Sequence, residues 1–145
     1  MEIREAAEND LEPLLNLYTQ LHDNPMPEIN EALMLLWKRI LNNADHHPVI
    51  GTVDGVIISS CVLLVVPNLT RGQRPYALIE NVVTDEKHRG QGYATAVLNH
   101  ARSIAVCENC YKIMLMTGSR LDSTLRFYER AGYNRHDKTA FIQWL

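Results

Sequence analysis

The feature that most constrains this chain is an abrupt change of pattern around residues 82–94. An apolar run ends at Val82-Val83-Thr84, a charged turn follows from Asp85 to Arg89, and Gly90 and Gly92 come next. A helical pattern then opens at once, with apolar residues at Ala94, Val97, Leu98 and Ala101. The order predicts a strand, a tight loop and a helix.

A loop of this kind predicts an anion site. The first turn of a helix carries backbone N–H groups without intrahelical partners, and the helix dipole adds partial positive charge there. Gly90 and Gly92 let the backbone approach an oxyanion, and Arg89 supplies a rigid fork of donors. A diphosphate is the expected ligand. The stretch lacks the Gly-x-Gly-x-x-Gly of dinucleotide sites and the Gly-Lys-Ser/Thr of nucleotide triphosphate sites, so another diphosphate cofactor is expected.

Two motifs carry a resemblance to a known family. The segment Arg89-Gly90-Gln91-Gly92-Tyr93-Ala94 resembles the acetyl-CoA pyrophosphate loop of the GNAT family of N-acetyltransferases. Downstream, Leu125 to Tyr133 is similar to the family's Phe-Tyr-Glu-x-x-Gly-Phe signature. A single glycine motif also fits a plain strand-to-helix turn, whereas two motifs in this order favour the family. The resemblance runs from about Ile3 to the C-terminus.

Within the family, three segments look most like the glucosamine 6-phosphate acetyltransferase branch: Ile79 to Val82, Cys110 to Ile113 and Arg126 to Gly132. The likeness is partial, because Met116 stands where that branch has an acidic residue. The resemblance implies acetyl transfer to a primary amine of a small molecule, with an amino-sugar phosphate as the leading candidate. An unrelated small amine and a peptide amine are alternatives. A regulatory domain that binds acetyl-CoA without turnover is the alternative from another class.

The resemblance also implies how acetyl-CoA, the co-substrate, is held. Backbone groups of Val82 to Thr84 pair with the pantetheine arm, and the Val82 N–H points at the thioester oxygen. These groups are free only where the strand splays from its neighbour, and Tyr111 to Thr117 is the strand expected to diverge. Thr124 lies where some relatives have an asparagine. The implied cofactor-binding residues are Val82, Val83, Thr84, Arg89, Gly90, Gln91, Gly92, Tyr93, Ala94, Thr95 and Thr124.

Glu80 is the candidate general base. Transfer from a thioester to an amine needs a deprotonated amine, a donor to the carbonyl oxygen and a proton for the thiolate. Period-two alternation places Glu80 on the same face as Val82, one step upstream of the acetyl site. An apolar setting would raise the pKa of Glu80 toward the operating pH, and a water could relay the proton. Alternatively, Glu80 is a surface carboxylate or pairs with a basic residue.

Tyr128 is the candidate general acid. It matches the family tyrosine whose hydroxyl approaches the cofactor sulfur. The alternative is an amphipathic core tyrosine, since Leu125, Tyr128 and Ala131 share one helix face by spacing. His46, His47, His88 and His100 show no ligand spacing with nearby carboxylates, so no metal is expected.

Composition restricts the class of protein further. A chain of 145 residues, 46% hydrophobic and 21% charged, fits a single domain spanning 1–145. The net charge of −3 argues against a nucleic-acid binder. The N-terminus resembles neither a signal nor a transit peptide and no long apolar run exists, so a cytoplasmic protein without membrane contact is expected. Cys61, Cys107 and Cys110 are interpreted as small thiols, with a Cys107–Cys110 redox pair as the alternative.

The predicted fold class is α/β, a GNAT-like mixed, mostly antiparallel, twisted sheet of six to seven strands flanked by about four helices. Asp54-Gly55 predicts a hairpin, His22 to Glu28 a loop, and Asn9 or Asp10 a helix cap. Loop residues Arg71 and Arg74 are solvated charges or, alternatively, grip an anionic acceptor. Predicted strands are Glu2–Ala6, Pro48–Val53, Val56–Val66, Tyr76–Thr84, Tyr111–Thr117, Tyr133–Arg135 and Thr139–Leu145. One helix is predicted directly after Asn9 or Asp10. Three more are predicted over Asn30–Leu41, Gly92 to about Glu108, and Thr124–Ala131.

The last predicted strand indicates assembly. Thr139 to Leu145 carries apolar side chains on both of its faces, and exposed edges with large apolar residues are normally covered. A symmetric homodimer in which this strand or the last helix contributes is therefore expected, as the resemblance also suggests. Alternatively, the helix–loop–helix edge folds over Trp144 within one chain.

Overall fold

The computed structural model of the protein describes residues 1–21 and 24–145. His22 and Asp23, in the predicted loop, lie outside the described residues. Short 3-10 turns precede the first and third α-helices, at Glu8–Asp10 and Glu86–His88. The strands are β1 (Glu2–Glu5), β2 (His46–Val53), β3 (Val56–Val66), β4 (Tyr76–Thr84) and β5 (Ile113–Leu115), and the helices are α1 (Leu11–Tyr18), α2 (Glu31–Leu41), α3 (Tyr93–Cys107) and α4 (Asp122–Arg130).

The strands form one sheet in the order β1-β2-β3-β4-β5. The first four pair antiparallel, and β5 runs parallel to β4. The mixed, mostly antiparallel sheet and the four α-helices confirm the predicted class. The prediction of six to seven strands is wrong for the described residues, which form five. Tyr133–Arg135 and Thr139–Leu145 are irregular, because neither segment lies against a strand edge with which it could exchange backbone hydrogen bonds.

Two local predictions are confirmed by backbone geometry and capping. Asp54 and Gly55 join β2 to β3 with φ of 50° and 80°, the left-handed pair that a two-residue hairpin turn requires. Asn30 caps α2 by accepting a hydrogen bond from the Leu33 N–H at 3.0 Å. Asp10 precedes α1 as predicted, but its carboxylate accepts from Arg4 instead of capping the helix. The hydrogen bond from Arg4 is the main reason that the pKa of Asp10 lies below its usual range.

Apolar side chains cover both faces of the sheet. On one face, α3 packs through Val97 and Ala101 against Val49, Leu63 and Ile79. On the other face, the helical spacing of α1 and α2 brings an apolar set onto the sheet, made up of Leu14, Leu17, Trp37, Ile50 and Val83. We call these the α3 face and the α1/α2 face. β4 contributes side chains to both faces, Ile79 to the α3 face and Val83 to the α1/α2 face.

Candidate active site

A β-bulge interrupts β4. Glu80 pairs with Val62 and Val83 pairs with Ser60, so two β4 residues, Asn81 and Val82, oppose the single residue between them on β3. Asn81 adopts a left-handed backbone with φ of 51°, which asparagine tolerates better than most residues. The extra residue reverses the alternation of side chains from this point onward.

The bulge corrects the predicted orientation of Glu80. Ile79 and Val82 both pack on the α3 face, although three positions separate them, whereas Val83 lies in the core of the α1/α2 face. Glu80 therefore does not share a face with Val82. It lies opposite Val62, on the α1/α2 side, where its carboxylate is exposed.

Beyond the bulge, β4 and β5 separate. Their pairing is restricted to Ala77–Ile79 against Ile113–Leu115. Within the described residues, no strand pairs with the β5-facing edge of β4 from Glu80 to Thr84. The divergence that the family resemblance implies is thus confirmed, and β5 is shorter than the predicted Tyr111–Thr117. Backbone groups along this edge are free to bind an extended, amide-bearing ligand.

The strand leads directly into the glycine loop. Gly90 and Gly92 have φ of 75° and 86°, the left-handed region that favours glycine, and Gly92 occupies the N-cap position of α3. The helical ladder begins where the Ala96 N–H donates to the Gly92 carbonyl at 3.0 Å. The N–H groups of Tyr93, Ala94 and Thr95 precede that ladder and belong to the first turn. The predicted anion site therefore has the expected backbone geometry.

A side chain from the turn just after α1 and side chains of the charged turn itself hold the loop in place. The Asp85 carboxylate accepts hydrogen bonds from the Gln20 amide at 2.8 Å and the Lys87 N–H at 3.1 Å, and it pairs with the His88 ring at 2.7 Å. Gln20 in turn accepts from the Glu86 N–H at 2.9 Å. These contacts, the Gln20 hydrogen bond first, hold the pKa of Asp85 below its usual range. The site is pre-organised before any ligand binds.

The loop side chains named in the sequence prediction lie around the same turn. Arg89 Nε donates to the Thr84 carbonyl at 3.2 Å, which holds the guanidinium beside the strand end. The Gln91 amide donates to the Lys87 carbonyl at 3.4 Å, and the Tyr93 ring packs edge-on against His88 at 6.1 Å between centroids. The structure thus brings the strand end, the charged turn and the helix start together.

Tyr128 lies in a groove between α3, α4 and β5. The groove has a volume of about 1190 Å³, and Glu80 lies on its rim. Tyr128 is half-buried and contacts the rings of Phe127 and Tyr133, with centroids 4.9 and 6.2 Å away. Burial raises the pKa of Tyr128 above its ordinary value, so its hydroxyl stays protonated at neutral pH. The residue both packs against the α3-face core and reaches the groove.

Thr124, the remaining predicted cofactor contact, lies in the first turn of α4. Its Oγ1 is 3.1 Å from the Ser119 Oγ, so the two hydroxyl groups share a hydrogen bond. Its side chain is half-buried at the start of the helix that carries Tyr128. Thr124 is therefore close in sequence and in space to that half of the groove.

A second cavity was not foreseen from the sequence. It measures about 210 Å³ on the α1/α2 face, beside the bulge. Its polar side chains are Tyr18, His46 and Asn81, and the rest of its wall is apolar. The lining residues are Leu11, Leu14, Leu15, Tyr18, Leu33, Leu36, Trp37, Ile40, His46, Pro48, Val62 and Asn81. An asparagine inside an apolar strand is the one sequence signal that could have pointed to this place.

Arg74 has a structural role rather than the alternative one of gripping an anion. Its Nε and Nη2 donate to the carbonyls of Asn109 and Cys110, both at 3.1 Å, just beyond the C-terminus of α3. Arg71 lies over the Tyr111 ring, 5.9 Å from its centroid. Both arginines therefore lie at the N-terminal end of β4, away from the glycine loop.

Three further findings concern the described part of the chain. All three cysteines are free thiols, and burial raises the pKa of Cys61 to about 12.

Residues 1–21 and 24–145 contain no group of three or more His, Cys, Asp or Glu side chains arranged to hold a metal ion. Within the same residues, no helix has the length and apolar character needed to cross a membrane.

Several known proteins with similar sequences or structures are named as acetyltransferases. A Trypanosoma brucei brucei protein named glucosamine 6-phosphate N-acetyltransferase is 30% identical over 146 residues, covering 95% of this chain and 92% of that protein. The structure of a putative acetyltransferase from Agrobacterium tumefaciens superposes with a TM-score of 0.92 at 38% identity, over 99% of this chain and 100% of that one. The Arabidopsis thaliana glucosamine-6-phosphate N-acetyltransferase shares the fold, with a TM-score of 0.86 at 19% identity over 99% and 97% of the two chains.

The family model described as the acetyltransferase (GNAT) family matches residues 11–133. This range includes the bulged strand, the glycine loop and Tyr128, so the match covers the whole candidate site and most of the sequence. The chain belongs to the acetyltransferase (GNAT) family.

Proposed function

We propose that the protein transfers the acetyl group of acetyl-CoA to a primary amine of a small molecule, by direct attack within a ternary complex. The observation that supports this most is the continuity of two features. The edge of β4 that β5 leaves unpaired, Glu80 to Thr84, runs into the left-handed glycine loop at the start of α3. Acetyl-CoA has a matching order of groups: a thioester, an extended arm with amides, and a diphosphate.

Each part of the cofactor has a proposed partner. N–H groups from about Arg89 to Thr95 bind the diphosphate, because the first turn of α3 supplies both donors and dipole. Backbone groups of Val82, Val83 and Thr84 pair with the pantetheine arm, and Thr124 contacts it from α4. The N–H of Val82 donates to the thioester oxygen and stabilises the oxyanion that forms on attack.

The proposed reaction needs two proton transfers. The amine nitrogen attacks the thioester carbon as Glu80 takes its proton, directly or through a water. The tetrahedral intermediate then collapses, the C–S bond breaks, and the Tyr128 hydroxyl donates to the departing thiolate. The bulge supports this division of roles, because it turns Val82 to the α3 side, where Tyr128 lies, while Glu80, before the bulge, stays on the α1/α2 side opposite Val62.

Glu80→Gln is expected to remove the acidic limb of the pH–rate profile and to lower kcat with little change in acetyl-CoA affinity. A carboxylate base is active only when deprotonated, so acid inactivates the base and lowers the wild-type rate. Glutamine has no such titration. Steady-state rates between pH 5 and 9 measure the effect, and Glu12→Gln, an exposed carboxylate on α1, is the matched control. An acidic limb that persists in Glu80→Gln would assign the base elsewhere.

Two acceptor classes follow from different observations. The 30% identity to a glucosamine 6-phosphate N-acetyltransferase favours an amino-sugar phosphate. The apolar wall of the 210 Å³ cavity beside Asn81 favours an amine that carries an apolar substituent. The cavity lies next to Asn81, which follows Glu80 in sequence, and on the face that Glu80 occupies, so it is the proposed acceptor site for an amine of the second class.

Thiol release from acetyl-CoA with a panel of amines tests the function and separates the acceptor classes. Glucosamine 6-phosphate and 2-phenylethylamine represent them. If the cavity holds an apolar group, Leu36→Asp should raise the KM for 2-phenylethylamine at least tenfold, because it places a charge in the apolar wall. Leu69→Asp, on a loop away from the cavity and 89% exposed, is the control. An unchanged KM in Leu36→Asp would exclude the cavity as the acceptor site.

A regulatory domain that binds acetyl-CoA without turnover is the competing function. It predicts a rise in melting temperature with acetyl-CoA, since the ligand binds only the folded state, but no thiol release with any amine. A peptide amine as acceptor predicts release with peptides and none with small amines. No rise in melting temperature with acetyl-CoA would contradict the enzyme and the regulatory domain together.

The proposal includes a homodimer as the working form. The sequence predicted a dimer because the C-terminal strand, Thr139 to Leu145, has apolar side chains on both faces that would need to be buried. In the structure this segment is irregular and exposed.

A further inference from the structure

Gln20 connects two distant parts of the candidate site. It lies just after α1, and its N–H donates to the Leu17 carbonyl at 3.1 Å, so a last helical turn fixes it to that helix. Its side-chain amide reaches the charged turn, at residues 65 and 66 positions further along the chain. The chain between them forms α2 and the strands β2 to β4. The contact is therefore a product of the fold and not of local geometry.

The amide of Gln20 satisfies one acceptor and one donor of the charged turn at once. Its Nε2 donates to the Asp85 Oδ2 at 2.8 Å, and its Oε1 accepts from the Glu86 N–H at 2.9 Å. An amide carries a donor and an acceptor on one planar group, whereas a carboxylate only accepts and an ammonium group only donates. The residue type at position 20 therefore matches what the turn presents.

The turn that Gln20 contacts leads directly into the glycine loop. The Asp85 carboxylate also accepts from the Lys87 N–H, and the His88 N–H donates to the Asp85 carbonyl at 2.9 Å, which closes the 3-10 turn. The N–H groups at the start of a helical turn have no partners within it. Gln20 supplies that partner for Glu86, so it completes the turn from outside.

The helix that precedes Gln20 forms one wall of the 210 Å³ cavity beside the bulge. The side chains of α1 that line this cavity are Leu11, Leu14, Leu15 and Tyr18. Tyr18 lies only two residues before Gln20, and Leu17 packs in the core of the α1/α2 face. Because a helix moves as a rigid element, the position of Gln20 and the position of this wall are linked.

We propose that Gln20 is a positioning residue that links the two sites. It holds the charged turn in the conformation that binds the diphosphate of acetyl-CoA, and cofactor binding in turn orders α1 along the acceptor cavity. The inference rests on the proposed function, because it requires that the glycine loop binds acetyl-CoA. Linkage is reciprocal, so a contact that orders α1 when the cofactor binds also raises the affinity for the cofactor.

Cofactor affinity tests the first part of the proposal. In a calorimetric titration, Gln20→Ala should raise the Kd of acetyl-CoA at least about fivefold, because the turn loses two hydrogen bonds, one of them to a charged group. Gln20 is exposed, so its replacement removes no core packing and the variant still folds. Asn16→Ala removes an exposed amide from the same helix and should stay within about twofold of wild type. Wild-type affinity in Gln20→Ala overturns the proposal.

An exchange of donor and acceptor separates positioning from a general loss of stability. Gln20→Glu alone places a second carboxylate beside Asp85 and should weaken acetyl-CoA at least about fivefold. In the double variant Gln20→Glu/Asp85→Asn, the introduced amide donates to the introduced carboxylate, which also accepts from the Glu86 N–H. The double variant should therefore bind acetyl-CoA at least about fivefold more tightly than Gln20→Glu. A double variant that binds no more tightly than Gln20→Glu overturns the proposal.

The control for this exchange restores the charge without restoring the hydrogen bonds. Gln20→Glu/Glu86→Gln has the wild-type net charge, because Glu86 is an exposed carboxylate beside Asp85. Two carboxylates still face each other in this variant, so it should bind acetyl-CoA as weakly as Gln20→Glu. Recovery in the control equal to that of the double variant would show an effect of charge alone and would overturn the positioning role.

Hydrogen exchange tests the link to α1. Saturating acetyl-CoA should slow amide exchange over residues 11–21 at least about threefold in the wild type, and this slowing should be lost in Gln20→Ala at a saturating concentration for that variant. Residues 89–98 should be protected in both proteins, which verifies that the glycine loop is occupied. Equal slowing over residues 11–21 in the two proteins, or none in the wild type, overturns the link.

Failure of this inference and failure of the proposed function give different results. A wild type with no heat of binding for acetyl-CoA and no protection over residues 89–98 contradicts the proposed function, and the role of Gln20 with it. A wild type that binds acetyl-CoA while every Gln20 variant binds it equally well contradicts the role of Gln20 alone.

Discussion

Tyr128→Phe is expected to lower kcat by about a hundredfold or more, the usual contribution of a general acid, with no change in the Kd of acetyl-CoA. The substitution removes one hydroxyl from a half-buried ring and keeps the contacts of that ring with Phe127 and Tyr133. An interaction that forms only with the departing thiolate affects the transition state and not the ground state. Rate and affinity should therefore respond differently.

Tyr133→Phe is the matched control for this prediction. Tyr133 packs edge-on against Tyr128, lines the same groove and also has a raised pKa, to about 12, through burial. If Tyr128 acts on the leaving group, only its own substitution lowers kcat. Equal losses in both variants would indicate that the aromatic cluster acts through packing, as the alternative of a core tyrosine predicts.

The pH dependence adds a second test of Tyr128. Burial holds its pKa above the ordinary value near 10, so the hydroxyl remains a donor throughout the neutral range. Tyr128 should therefore cause no loss of rate on the basic side of the pH–rate profile below about pH 10. A basic limb near neutrality that disappears in Tyr128→Phe would show a lowered pKa instead and contradict the burial argument.

The sequence was most informative where local chemistry determines the backbone. Asp54-Gly55 predicted its hairpin, and Gly90 and Gly92 predicted a loop that needs left-handed residues, because these requirements depend on a few neighbouring residues. The divergence of β5 was inferred from the family resemblance. The pairing of only Ala77–Ile79 with Ile113–Leu115 confirms it.

The sequence was least informative where long-range pairing determines the structure. Strict alternation placed Glu80 with Val82, and one extra residue at Asn81 reversed that placement. Periodicity alone cannot locate a bulge, since the bulge is defined by the opposite strand. Thr139–Leu145 has a strand pattern, but a strand needs a partner edge, and among the described residues no strand pairs with this segment. The residues around Arg74 show only that it lies in a polar loop. Its hydrogen bonds go to the carbonyls of Asn109 and Cys110, which are 35 and 36 residues away in sequence.

Gly92→Val is expected to raise the Kd of acetyl-CoA at least tenfold, which corresponds to about 1.4 kcal/mol. With φ of 86° at the N-cap of α3, Gly92 holds a conformation that a β-branched residue rarely adopts. A valine there either shifts the loop backbone or places a side chain where the diphosphate approaches the N–H groups. Apart from the adjoining residues, no heavy atom lies within 4 Å of the position of the added Cβ, so the loss in binding would come from the backbone and the ligand, not from a clash with the fold.

Gly55→Val separates binding from strain, because Gly55 has φ of 80°, similar open space and a place on a hairpin away from the loop. Both variants should lose melting temperature, since both force valine into the left-handed region, but only Gly92→Val should weaken acetyl-CoA in a calorimetric titration. Equal affinity in the two variants would mean that the loop at α3 does not hold the diphosphate. The cofactor assignment, from Arg89 through Thr95, would then have to be abandoned even though the fold and the family remain.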